Sequence, residues 1–116
     1  MLEHGLIQIA GIMDLGEARM LLQCGVTHLG FPLRLPVHRE DLSENQAADI
    51  IRQLQPLQVA VLITYLDQAS EIVAFCRFLG VRVVQLHGDI GPGALEKLKC
   101  LDGTLTVIKS LVRLRA

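Results

Sequence analysis

Short apolar runs alternate with longer segments of helical periodicity along all 116 residues, and this alternation limits the possible folds more than any other feature. The predicted strands are apolar throughout, as expected when helices cover a sheet. Regular alternation of this kind predicts right-handed βαβ units and a parallel sheet. We therefore predict one α/β domain over residues 1–116, with about five parallel strands and four helices. The predicted strands are 6–10, 27–31, 58–63, 81–86 and 105–109.

Capping residues mark the predicted helix starts. Asp14 with Glu17, and Ser43 with Gln46, have the spacing of a capping box, in which each side chain satisfies a free N–H at the helix start. Asp67 is predicted to cap the third helix.

Two architectures fit the periodicity equally well. A doubly wound, flavodoxin-like sheet is complete at this length, and its first strand lies centrally. A (β/α)8 barrel keeps its strands in chain order and takes about 250 residues to close. The spacing of the elements does not distinguish them.

Composition excludes several classes of function. Hydrophobic residues make up 51% of the chain but aromatic residues only 3%, so the core must be aliphatic. A net charge of −1 gives no reason to expect nucleic acid or an anionic membrane as a partner. The start of the chain lacks the features of a signal peptide, and no apolar stretch approaches the roughly 20 residues that span a bilayer. We expect a cytoplasmic protein.

The three cysteines, Cys24, Cys76 and Cys100, lack CxxC spacing. They indicate neither a disulfide framework nor a zinc site, and we expect no metal or cofactor. Cys24 and Cys76 are predicted to be small core hydrophobes, and Cys100 to close the fourth helix.

Four segments carry a family resemblance: 7–12 (IQIAGI), 25–31 (GVTHLGF), 42–47 (LSENQA) and 83–89 (VVQLHGD). In this order and spacing they resemble the phosphoribosylanthranilate isomerase family, with residues 83–89 the most specific piece. They match, in turn, its first strand and turn, its second strand, the start of its second helix, and its fourth strand with the following turn. The resemblance implies the first five strands of an eight-stranded (β/α)8 (TIM) barrel.

The resemblance also implies a reaction. The family catalyses an Amadori rearrangement in tryptophan biosynthesis, with a cysteine after strand one as base and an aspartate after strand six as acid. Here Ala10 occupies the cysteine position and Gln8 that of a lysine. The aspartate and the phosphate-binding loops belong to strands beyond residue 116. We expect this polypeptide alone to be inactive, since loss of a general base costs about a hundred- to ten-thousand-fold.

The resemblance implies candidate substrate-binding residues for a phosphorylated small molecule. Arg39 lies where the family holds the substrate carboxylate, and Arg34 is a rival, because a guanidinium fork suits a carboxylate. Gln85 and His87 are two apart and share one face of a strand, so both could bind substrate. The structural alternative is that they bond neighbouring strands or fix the turn. Lys109 is predicted on the same face, where it meets either an anion or solvent.

A half-barrel leaves two unpaired edges and an uncovered interior, with Ile7 and Ile9, or the residues that alternate with them, exposed. We therefore expect self-association or pairing with the missing barrel half. Besides an isomerase relative with lost chemistry, the sequence allows a non-catalytic ligand-binding or assembly module. A flavin-binding or receiver-like domain is disfavoured, because the turn at 10–14 has no phosphate-binding loop.

Overall fold

The structure, a computed structural model, describes residues 7–35, 42–54 and 59–109. Strands and helices alternate strictly through this part of the chain. The elements are β1 (Gln8–Ala10), α1 (Leu15–Gln23), β2 (His28–Pro32), α2 (Glu44–Arg52), β3 (Ala60–Thr64), α3 (Ala69–Leu79), β4 (Val83–Leu86), α4 (Pro92–Leu101) and β5 (Thr106–Lys109).

The five strands form one parallel sheet in the order β1-β2-β3-β4-β5. Each strand pairs with the next along the chain, and β1 and β5 are the edges. A flavodoxin-like sheet would place β1 between other strands, so that alternative is wrong. The prediction of a partial barrel with strands in chain order is confirmed.

The two faces of the sheet differ. Because side chains alternate along a strand, every second residue points to the same face. One face, the covered face, packs against the helices and includes Leu29, Leu62 and Val84, all fully buried. The opposite face, which we call the open face, carries Gln8, Gly30, Val61, Ile63, Gln85 and Ile108.

Exposure of apolar residues follows from this geometry. Ile108 is 40% exposed on the open face, where none of the four described helices packs. On the β1 edge, Ile7 and Ile9 are 51% and 39% exposed. The predicted exposure of these two isoleucines is confirmed.

One predicted capping box forms completely, at Ser43, and at Asp14 only the N-cap half of the predicted box forms. Ser43 and Gln46 satisfy each other's backbone N–H groups, at 3.1 and 2.9 Å. Asp14 accepts from the Glu17 N–H at 2.7 Å, while the Glu17 carboxylate accepts from the Met13 N–H at 2.8 Å.

The predicted cap of α3 is wrong. The helix begins after Gln68, not Asp67, and no side chain caps it. Its buried face, which includes Ile72, Phe75 and Leu79, stabilises α3 in place of a cap. Within the described residues, no helix has both the length and the apolar character required to cross a bilayer.

Candidate functional site

Parallel pairing brings the carboxyl ends of all five strands to one edge of the sheet. We call this edge the rim; it is formed by Ala10, Pro32, Thr64, Leu86 and Lys109, the last residue of each strand. Polar side chains that follow the strands meet there, which is where barrels of this architecture place their sites.

Ala10 ends β1 at the rim and pairs with Gly30 of β2. Its side chain lies on the open face, 3.3 Å from the point that a Cβ on Gly30 would occupy, and it is solvent-exposed. A methyl group at this position neither accepts nor donates a proton. The last residue of β1 therefore supplies no basic group.

Gln85 bonds across the open face. Its Oε1 accepts a hydrogen bond of 2.8 Å from Nε2 of Gln8, on the far side of β2 and β3. Beside it, Gly30 makes room for the Ile63 side chain, because a Cβ on Gly30 would lie 2.6 Å from Cδ1 of Ile63. Gln85 thus bonds another strand, which was the predicted structural alternative to substrate binding.

His87 lies just beyond β4 and beside Tyr65, which follows β3. The pairing of Thr64 with Leu86 places the next two residues side by side, and the His87 N–H donates to the Thr64 carbonyl at 2.9 Å. The two rings are 5.7 Å apart between centroids and tilted by 36°. Sequence reasoning missed Tyr65, although it is the chain's single tyrosine and lies two residues beyond the predicted strand 58–63.

Gly88 follows β4 and contacts residues at the ends of β3 and β5. A Cβ on this glycine would lie 2.5 Å from the Tyr65 carbonyl oxygen, so the turns after β3 and β4 touch through their backbones. The Gly88 carbonyl accepts a hydrogen bond of 2.8 Å from Nζ of Lys109. Lys109 pairs with Leu86, a covered-face residue, so its predicted location on the face of Gln85 is wrong.

The Arg34 side chain contacts residues of α2 and α3. It forms a two-pronged ion pair with Glu44, at 2.9 and 3.1 Å, and a 3.2 Å contact with Glu71. Its guanidinium carbon lies 3.9 Å from the centre of the Phe75 ring. These contacts occupy the fork that a substrate carboxylate needs, so Arg34 does not fit the rival role. Arg39, the first choice, lies outside the described residues.

The Arg34 ion pair has an electrostatic consequence for its partner. The hydrogen bond from Arg34, together with its positive charge, lowers the pKa of Glu44 despite opposing partial burial. Arg34 itself has φ 57°, a left-handed conformation that costs a side-chain-bearing residue about 1–2 kcal/mol. The contacts with Glu44, Glu71 and Phe75 offset that cost.

None of the three cysteines lies at the rim. Cys76 is buried in α3, as predicted, and burial, reinforced by the charge of Asp102, raises its pKa to about 12. Cys24 was predicted to be a core residue, which is wrong: it is exposed where α1 ends. Cys100 is exposed in the last turn of α4. Among the described residues, no three His, Cys, Asp or Glu side chains are grouped to hold a metal ion.

A parallel sheet in chain order, with helices on one face and polar groups at its carboxyl edge, defines part of a (β/α)8 barrel. The phosphoribosyl anthranilate isomerase from Thermus thermophilus superposes with a TM-score of 0.80 at 27% identity, over 94% of this chain and 52% of that one. By sequence, the N-(5'-phosphoribosyl)anthranilate isomerase of Methanosarcina mazei is 30% identical over 105 residues. The chain belongs to the phosphoribosylanthranilate isomerase family.

The similarity covers most of this chain but only part of its relatives. The Moorella thermoacetica isomerase is 38% identical over 90 residues, which are 74% of this chain and 38% of that protein. The Methanosarcina match takes in 90% of this chain and 46% of its relative. The chain thus spans about half the length of the curated relatives it matches. No family model matches the sequence.

Proposed function

We propose that this chain forms the first part of an isomerase-type barrel that binds the aryl carboxylate end of a phosphoribosylanthranilate-like substrate but supplies no base for its rearrangement. The observation that carries the proposal is Ala10 at the rim end of β1. This is the position from which, by family resemblance, a cysteine removes the proton.

The rearrangement converts an N-linked aminoaldose to an aminoketose. An acid protonates the ring oxygen as the ring opens, and a base then removes the proton at C2. Ala10 accepts no proton, and Gln8, in place of a lysine, is uncharged. Loss of the base alone slows such a reaction by about a hundred- to ten-thousand-fold.

Arg39 is the proposed anchor for the substrate carboxylate. The proposal is strengthened by Arg34, whose guanidinium is already engaged by Glu44 and Glu71. Gln85 and His87 are proposed to contact the substrate from the open face and the rim, with Gln85 also held by Gln8. One phosphoribosyl anthranilate isomerase structure contains reduced 1-(o-carboxyphenylamino)-1-deoxyribulose 5-phosphate, a phosphorylated aryl carboxylate of the class proposed.

The proposed partner is the rest of a barrel, whether in the same polypeptide or another. Strands β1 and β5 are the edges of the sheet that the described residues form, and the exposed Ile108 lies on its open face. Three further strands would complete the eight of the barrel and, by family resemblance, bring the acid and the phosphate loops. Self-association of this chain is the alternative way to cover the same surfaces.

The test is to restore the base. Residues 1–116 are mixed with the part of the Thermus enzyme that follows its fifth strand, and isomerase activity is measured for the wild type, Ala10→Cys and Ala10→Ser. We expect Ala10→Cys to exceed the other two by at least about a hundredfold. Ala10→Ser is the matched control, since its hydroxyl is similar in size but a poor base.

Equal association of all three variants with the added half, measured by light scattering, makes the rates comparable. Wild-type turnover as fast as that of Ala10→Cys would contradict the proposal. Complex formation with a silent Ala10→Cys would instead favour the second candidate, a non-catalytic binding or assembly module. The hydrogen bond between Gln8 and Gln85 favours that candidate. It spans the open face, and both of its amide groups are uncharged.

A further inference from the structure

We propose that Tyr65 and His87 form an aromatic platform that stacks against the ring of the aryl carboxylate. This inference rests on the proposed function and names the residues that would distinguish an aromatic ligand from an aliphatic one. We call the pair the platform.

Strand register builds the platform. Thr64 pairs with Leu86, so Tyr65 and His87 follow at the same level of two adjacent strands. Both continue the alternation of the open face, because each is two residues beyond an open-face side chain, Ile63 or Gln85. Their rings lie 5.7 Å apart, within the range of interacting aromatic pairs.

The platform is rigidly supported. The His87 N–H is bonded to the Thr64 carbonyl, which extends the β3–β4 ladder past the strand ends. The backbone of Gly88 touches that of Tyr65, and the Gly88 carbonyl is held by Lys109. The backbone that carries the two rings therefore loses little conformational freedom when a ligand stacks on them.

Exposure makes the platform available. Tyr65 is 45% exposed at the rim, although its backbone is packed against Gly88. The other described aromatic pair, Phe75 with Phe78, lies on α3, where Arg34 covers Phe75. Among the described residues, Tyr65 and His87 are therefore the aromatic pair at the strand ends. A flat aryl ring fits such a surface by offset or tilted stacking.

Anthranilate is the probe and the full 116-residue chain is the protein. Tyr65 is the only tyrosine and the chain has no tryptophan, so its fluorescence reports on the platform directly. We expect anthranilate to quench this fluorescence. Affinities are then measured by calorimetry for the wild type, Tyr65→Phe and Tyr65→Leu, with cyclohexanecarboxylate as the non-aromatic control.

Tyr65→Phe keeps the ring and should bind anthranilate within about twofold of the wild type. Tyr65→Leu should bind it about three- to tenfold more weakly, the size of a stacking contact, and leave cyclohexanecarboxylate binding unchanged. Equal anthranilate affinity in Tyr65→Leu and Tyr65→Phe would overturn the platform.

Arg39→Ala separates this inference from the proposed function. It should weaken both carboxylates while the preference for the aromatic one remains. A wild-type chain that binds anthranilate unaffected by Arg39→Ala would overturn the proposed carboxylate site but not the platform. Failure of the wild type to bind anthranilate at all overturns both.

Discussion

Gln8 donates a 2.8 Å hydrogen bond to Gln85, although their strands, β1 and β4, are separated by two others. In a flat sheet, three strand spacings would place the Cα atoms of Gln8 and Gln85 about 14 Å apart. The side chains meet because the sheet is strongly curved and its open face is concave. Such curvature is expected of strands that belong to a closed barrel.

A double-mutant cycle on Gln8 and Gln85 tests this contact. Each alanine substitution should lower the free energy of unfolding by about 0.5–1 kcal/mol, because the hydrogen bond is lost. The loss stays small because water on the open face rehydrates the remaining amide. The double variant should lose less than the sum of the two, with a coupling of about 0.5–1 kcal/mol in urea denaturation. Strict additivity would show that the two glutamines do not interact.

Gly88→Ala should destabilise the chain by about 1–3 kcal/mol, because the new Cβ meets the backbone of Tyr65 at 2.5 Å. Gly93→Ala is the matched control, since a Cβ there meets nothing within 4 Å and the site is in α4. The control should be stabilised by about 0.4–1 kcal/mol. Similar thermal stability of the two variants would rule out the tight turn contact.

Glu44→Gln should reduce stability at neutral pH by about 1 kcal/mol through loss of the two-pronged ion pair with Arg34. The pKa of Glu44 is lowered by Arg34, so the wild type gains this stability above the ordinary pKa of 4.5. It loses the gain as the pH falls through the lower, folded-state value.

Chemical denaturation of the wild type and Glu44→Gln at pH 7 and at pH values below 4.5 measures the effect. The difference between them should shrink on acidification. Asp49→Asn breaks the Arg52 pair, whose side chains are both more than 60% exposed, and should change stability little. A wild-type advantage over Glu44→Gln that grows in acid would contradict the assigned ion pair.

A thiol-specific reagent should modify two of the three cysteines in the native chain. Cys24 and Cys100 are exposed, whereas Cys76 is buried and has a pKa of about 12. At pH 8 that pKa leaves Cys76 about a thousandfold less thiolate than an ordinary cysteine. All three should react in denaturant. Rapid modification of Cys76 in the folded protein would show that α3 does not pack as described.

Much of the fold could be predicted from local sequence signals. The alternation of apolar runs with helical segments predicted every described element. The capping box at Ser43 formed, and Asp14 caps α1 as predicted. Strand order could not be predicted from spacing, because both candidate architectures share the same βαβ units. The family resemblance of residues 83–89 favoured the barrel, and the observed order confirmed it.

The site was less predictable because its geometry depends on distant partners. Arg34 contacts Glu44 and Glu71, which lie 10 and 37 residues away. The face of Lys109 depends on strand register, which a short strand at the end of the sheet does not reveal in its sequence. Tyr65 becomes notable only when register brings it beside His87.

We propose that these strands form an open part of a barrel that further strands complete. Light scattering after size exclusion tests it most directly, with the 12.8 kDa chain alone and mixed with the Thermus segment that follows strand five. We predict a 1:1 complex in the mixture and self-association of the chain alone. A stable monomer that does not bind the added segment would contradict this proposal.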